Sequence, residues 1–155
     1  MQPEHPMKKA GKIVMMISAV LILSGFALWD VPRNQLRLFL ERNAIEKTAH
    51  DYLRAEMKKD FRQVYDLLAP SSDYRKAHSY EAFLKDTGSY PPMTMDSYKI
   101  VRICHLRDND VKQRYPEVEK FVQVEVDVTF AESGPDSIFN YSFTFLKEKG
   151  RWYKG

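Results

Sequence analysis

"KFVQVEVDVTFAE", residues 120–132, is the most regular stretch of this sequence. Val122, Val124, Val126, Val128 and Phe130 fall on one side of a period of two, and Gln123, Glu125, Asp127 and Thr129 on the other. That alternation is the signature of a half-buried antiparallel strand. Downstream, "SIFNYSFTFLKE" (137–148) repeats the pattern, with Phe139, Tyr141, Phe143 and Phe145 opposite Asn140, Ser142 and Thr144. "SGPD" (133–136) separates the two as a turn. The dipeptide Lys149-Gly150 turns the chain again into a last short strand, "RWYKG", whose anchor is Trp152. Upstream, "MDSYKIVRICHL" reads as a strand with both faces partly apolar, and "RDNDVKQRYPE" as a polar turn region. The outcome is a meander of about four antiparallel strands with one apolar and one polar face.

Before residue 93 the period is helical. In "RNQLRLFLERNAIEKTAHDYLRAEMKKD", Ile45, Ala49, Tyr52, Leu53 and Met57 recur at helical spacing, and Arg42/Glu46 and Lys47/Asp51 place opposite charges four apart on the solvent side. A long helix is predicted from about 33 to 58. "DFRQVYDLLAP" supplies a second helix stopped by Pro70. "SSDYRKAH" reads as a loop. "SYEAFLKDTG" reads as a third helix with Ser79 as N-cap. About three helices followed by about four strands define an α+β class, the helices covering the apolar face of the sheet.

The first thirty residues stand apart. Ile13–Trp29 contains no charged side chain. As a helix it spans about 25 Å, at the short end of bilayer-crossing lengths. Lys8, Lys9 and Lys12 precede it and Trp29 suits a membrane interface. Three readings fit: a retained signal anchor, a cleaved signal peptide ending near "GFA", or a buried core helix. The first is preferred and divides the chain into a basic cytoplasmic tail (1–12), a transmembrane anchor (13–29) and a folded domain (30–155). "LSGF" at 23–26 has phenylalanine where a lipidated cysteine would stand, so acylation of the lipoprotein type is excluded there.

The order of elements resembles the nuclear transport factor two-like superfamily, also called cystatin-like or ketosteroid-isomerase-like. "AHDYLRAEMKKDFRQVYDLLAPSS", "SYEAFLKD" and the closing "FLKEKGRWYKG" carry the likeness, over roughly residues 35–155. The resemblance implies a curved sheet wrapped around a long helix to form a cone, with a pocket inside. It implies no reaction, because members include isomerases, dehydratases, transport factors and membrane-anchored domains without catalysis.

Little in the sequence points to chemistry. The net charge of +3 sits mostly in the tail, which removes the electrostatic footprint of a nucleic-acid binder. The lone cysteine, Cys104, forms no intrachain disulfide and reads as a small buried hydrophobe, with His105 on the opposite face of its strand. Glu125 and Asp127 share the polar face and read as solvated. His5, His50, His78 and His105 have no ligand spacing, "DND" (108–110) lacks the rest of a calcium loop, and no cofactor motif is present. The remaining candidates are aromatic. Tyr52, Tyr65, Phe83, Tyr98, Phe130, Phe143 and Trp152 either fill the core or line an apolar pocket with tyrosine hydroxyls as polar handles.

The expectation is therefore a non-catalytic binding or assembly domain tethered to a bacterial cytoplasmic membrane by a single pass, N-terminus inside. Its architecture is similar to that of assembly components of bacterial secretion and conjugation machines. The expected partners are the lipid bilayer through residues 13–29 and a protein partner or weak homodimer. The alternative is a small-molecule-binding or enzymatic cone taking a small apolar ligand, secreted if the leader is cleaved.

Overall fold

The computed structural model describes residues 30–88, 93–133 and 137–155. The chain divides between Arg37 and Leu38 into two compact units. The run Ile13–Trp29 lies outside the described residues, as does most of the "SGPD" turn. Among the described residues no helix is long and apolar enough to cross a membrane.

The described residues form an α+β fold of four helices and a curved antiparallel sheet. The helices are α1 (Asp30–Met57), α2 (Phe61–Leu67), α3 (Asp73–Ala77) and α4 (Tyr80–Gly88). The strands are β1 (Met95–Asp108), β2 (Val118–Phe130), β3 (Ile138–Glu148) and β4 (Arg151–Lys154), paired in sequence order.

Ile45, Ala49 and Leu53 set α1 against the sheet, each essentially without exposure. Facing them, Val122, Val124, Val126 and Val128 are equally closed off. Burial of each such valine or larger side chain contributes about 1.5–3 kcal/mol, so this seam dominates the stability of the fold. α1 ends in a Schellman turn. The Asp60 N–H donates to Ala55 O (2.9 Å), the Lys59 N–H to Glu56 O (3.0 Å), and Lys59 sits at φ +55°. The Asp60 carboxylate then accepts from the Gln63 N–H at 3.1 Å and caps α2, so one turn stops one helix and starts the next.

The stretch read as a loop, "SSDYRKAH", contains α3. Ser72 caps it, its Oγ accepting from the Arg75 N–H at 3.3 Å. Five residues are too few to show an apolar period, and none of them is buried; only the cap marked this helix in the sequence. Ser79 caps α4 as expected, accepting from the Ala82 N–H at 3.3 Å.

β2 and β3 pair without a break from Thr129↔Ile138 to Lys120↔Lys147. β1 is irregular, its register against β2 shifting at three places. Bulges of this kind bend a strand and raise its twist. The last hairpin turns on Lys149 (φ +48°) and Gly150 (φ +76°), two consecutive left-handed residues that define a type I′ turn. At the end of β4, the Ala69 N–H donates to Lys154 O at 2.7 Å, tying the α2–α3 connection to the sheet.

Candidate functional site

Glu41 stands four residues before Ile45 and so continues the buried stripe of α1 towards one end of the sheet. There β2, β3 and β4 deliver Lys120, Lys147 and Trp152 to the same face. Lys120 Nζ donates to Glu41 Oε1 at 2.7 Å, Lys147 Nζ lies 2.8 Å from both carboxylate oxygens, and Trp152 Nε1 donates to Oε2 at 3.1 Å. Burial alone would raise the carboxyl. The hydrogen bonds from Lys120, Lys147 and Trp152, with the charge of Lys120, overcome that and hold it down to about 2. One carboxylate thus pins three strands to one helix. Trp152 is buried, as its position in the last strand implied.

The seven aromatic candidates do not converge on one pocket. Tyr52 and Phe143 meet edge to face at 6.2 Å, and Phe143 stacks on Tyr141 at 6.0 Å. Tyr141 in turn meets Phe130 at 6.3 Å, and Phe130 meets Phe139 at 5.7 Å. These five rings form a ladder along the helix side of β3. Lys154 Nζ lies 6.0 Å from the Tyr52 ring centre and 5.8 Å from that of Phe143, and burial pushes its ammonium down, partly offset by Glu56. The Tyr52 hydroxyl donates to Glu56 at 2.7 Å; burial first, then Glu56, raises it well above the usual tyrosine range.

Tyr65 and Phe83 belong instead to a helix-side cluster with Phe61, Tyr74 and Tyr80. The Tyr65 hydroxyl donates to His78 O at 2.9 Å and Arg75 lies over its ring. Tyr98 pairs with His50, 2.9 Å between Oη and Nδ1. Trp152 belongs to the Glu41 cluster.

Of the shallow depressions among the described residues, two bear on the candidate residues. The larger, about 370 Å³, is lined by His105, Arg107, Phe121, Val122, Gln123 and Thr144. It lies at a bulge where His105 and Leu106 together oppose Val122, and His105 adopts φ +54°. The bulge corrects the expected placement of His105 on the face opposite Cys104. The extra residue resets the alternation, and His105 lines the same outer surface as Gln123, which is paired with Cys104. Cys104 is corrected as well: it is half-buried on the outer face, its Sγ 3.7 Å from Glu125 Oε1, while Ile103 takes the core position. Burial and then the Glu125 carboxylate push the thiol up, away from a reactive thiolate. Glu125 itself is paired with Arg102 at 2.6 Å, and Asp127 accepts from Asn140 at 2.8 Å.

The smaller depression, about 250 Å³, includes Ser71, Lys76, Glu117, Glu148 and Tyr153. Ser71 Oγ donates to the buried Glu148 carboxylate at 2.5 Å, a contact across 77 positions of sequence that no local pattern announces. "DND" is a turn organised by Asn109, whose side chain donates to Tyr115 O (2.7 Å) and Val118 O (2.9 Å) and accepts from the Val111 N–H (2.9 Å). Among the described residues no group of three or more His, Cys, Asp or Glu side chains is placed to hold a metal ion. No family model matches the chain, and no curated protein matches it significantly.

Proposed function

We propose that the chain is a membrane-tethered, non-catalytic binding or assembly domain of the nuclear transport factor two-like kind. The observation that carries this reading is where the apolar surface lies. The helix-side face of β2 is filled by α1, and the most buried carboxylate there, Glu41, is engaged by two lysines and a tryptophan. Large apolar side chains are instead open to solvent near the head of α1 (Phe39 74%, Leu40 71%) and at the start of β3 (Ile138 66%, Phe139 and Tyr141 39% each). Apolar side chains exposed at the surface, beside a filled interior, suit contact with other macromolecules better than turnover of a small substrate. Phe39 and Leu40 follow the charge-free run Ile13–Trp29 by about ten residues, which supports a bilayer near that end.

Fractionation of cells expressing the full chain tests the tether. The expected result is retention in the membrane pellet after a carbonate wash, at the intact mass of 18.2 kDa, with lipid adducts from a photoreactive residue in place of Phe39. Release by carbonate, or a mature mass short by the leader, overturns the tethered reading.

A further inference from the structure

The larger depression, about 370 Å³, differs from the rest of the outer face in what its side chains leave unused. Elsewhere on that face the polar side chains pair across the strands. Ser97 meets Thr129 at 2.7 Å, Arg102 meets Glu125 at 2.6 Å, and Asn140 donates to Asp127 at 2.8 Å. In the depression, His105 and Arg107 from β1, Gln123 from β2 and Thr144 from β3 stand around Phe121. Among the described residues, none of these four side chains makes a hydrogen bond or an ion pair. The Arg107 guanidinium lies over the Phe121 ring, 5.2 Å from its centre, a contact that steadies it and uses none of its five N–H donors.

The backbone is bent to make this place. His105 adopts φ +54°, the left-handed region that a residue with a Cβ rarely takes. The bulge sets His105 and Leu106 together against Val122, so that Leu106 packs on the core and His105 is turned to the outer face. Bulges re-aim side chains in this way beside binding sites, and strained residues collect there.

The lining selects the sign of a ligand. Arg107 brings a permanent positive charge, and none of the six lining residues is an acid. Glu125 lies near enough to His105 to feel its charge, but Arg102 already holds that carboxylate by two hydrogen bonds, 2.6 and 3.2 Å. The smaller depression, by contrast, sets Lys76 and Lys149 against Glu117 and Glu148 and selects neither sign.

We propose that the larger depression binds a small organic carboxylate that carries a hydroxyl group. The planar carboxylate matches the two-pronged guanidinium of Arg107, and its single charge matches one arginine. A phosphate carries nearly two charges and finds no second fixed cation in the lining. Gln123 and Thr144 both donate and accept, which suits the hydroxyl, and His105 bounds the site at the bulge. The volume lies at the small end of ligand pockets. The site is on the face of the sheet opposite Phe139 and Tyr141, so the proposal stands or falls apart from the assembly reading.

The test uses the full chain, labelled with nitrogen-15, in detergent micelles at pH 7 and constant ionic strength. It is titrated with lactate, propanoate and inorganic phosphate. Lactate is expected to shift the amide signals of residues 105–107, 121–123 and 144 and to saturate at roughly millimolar concentration. Propanoate, which lacks the hydroxyl, and phosphate are each expected to bind about threefold more weakly or worse. Arg107→Met keeps the length of the side chain without its charge and is expected to weaken lactate about tenfold or more, with signals away from the site unmoved. Lys149→Met removes the same charge elsewhere on the sheet and is expected to leave lactate binding as in the parent. Thr144→Val is expected to remove the preference for lactate over propanoate. Shifts that rise without saturation, equal binding of lactate and either other anion, an Arg107→Met chain that binds like the parent, or an equal loss in Lys149→Met overturns the proposal.

Discussion

Glu41 is the residue on which the helix-to-sheet geometry turns. It gathers two ammonium groups and an indole N–H, and its own exposure is small (16%). Removing the carboxylate leaves Lys120 and Lys147 facing each other without a counter-charge, which is costlier than the pair itself is favourable. Glu41→Gln is therefore expected to lose about 2–3 kcal/mol in urea melts at pH 7. The pH dependence has a definite sign. The folded carboxyl lies at about 2 against 4.5 ordinarily. Its contribution is complete above about pH 4.5 and disappears as pH falls through the folded value. A carboxyl held tenfold more acidic by folding stabilises the fold by about 1.4 kcal/mol, so about 2–3 kcal/mol should go between pH 5 and pH 2, allowing for screening by nearby solvent. Melts across that range should fall more steeply for the parent than for Glu41→Gln; parallel curves would contradict the assignment. This residue was hidden in the sequence for a plain reason. A glutamate in a charged helix reads as solvent-facing, and only its spacing of four from Ile45 marks it as part of the buried stripe.

At the scale of elements, the closing hairpin anchors the end of the sheet as its sequence implied. Its type I′ turn fixes the register that brings Trp152 opposite Lys147 and onto Glu41. Trp152→Ala is expected to cost about 3–5 kcal/mol. Trp152→Phe keeps much of the packing and loses only the N–H to Glu41, and should cost about 1–2 kcal/mol. Denaturant melts of the full chain measure both, and equal stability of all three proteins would contradict an anchoring role for the hairpin. The strands and this hairpin were legible because period two and Lys-Gly are local signals. α3 was not, being a single turn with a cap and no apolar face. The β1 bulge was not, because its left-handed residue is His105 and no glycine announces it. The Ser71–Glu148 contact depends on tertiary closure alone. The seven aromatic candidates all lie in the core cluster or pack against it. Their division among the β3 ladder, the helix cluster, His50 and Glu41 is set by which element covers which part of the sheet.

For the whole molecule, the proposed function places the work at the exposed apolar side chains of α1 and β3 rather than in the interior. α1 covers the helix-side face of β2, while Phe139 and Tyr141 of β3 stay exposed. Photo-crosslinking in intact membranes decides whether the exposed apolar side chains meet a protein, with a benzoylphenylalanine in place of Tyr141 and, as control, in place of Lys99 on the polar face. The expected result is a discrete protein adduct from position 141 and little or none from position 99. Equal labelling at the two positions, or no protein adduct from Tyr141, would contradict it.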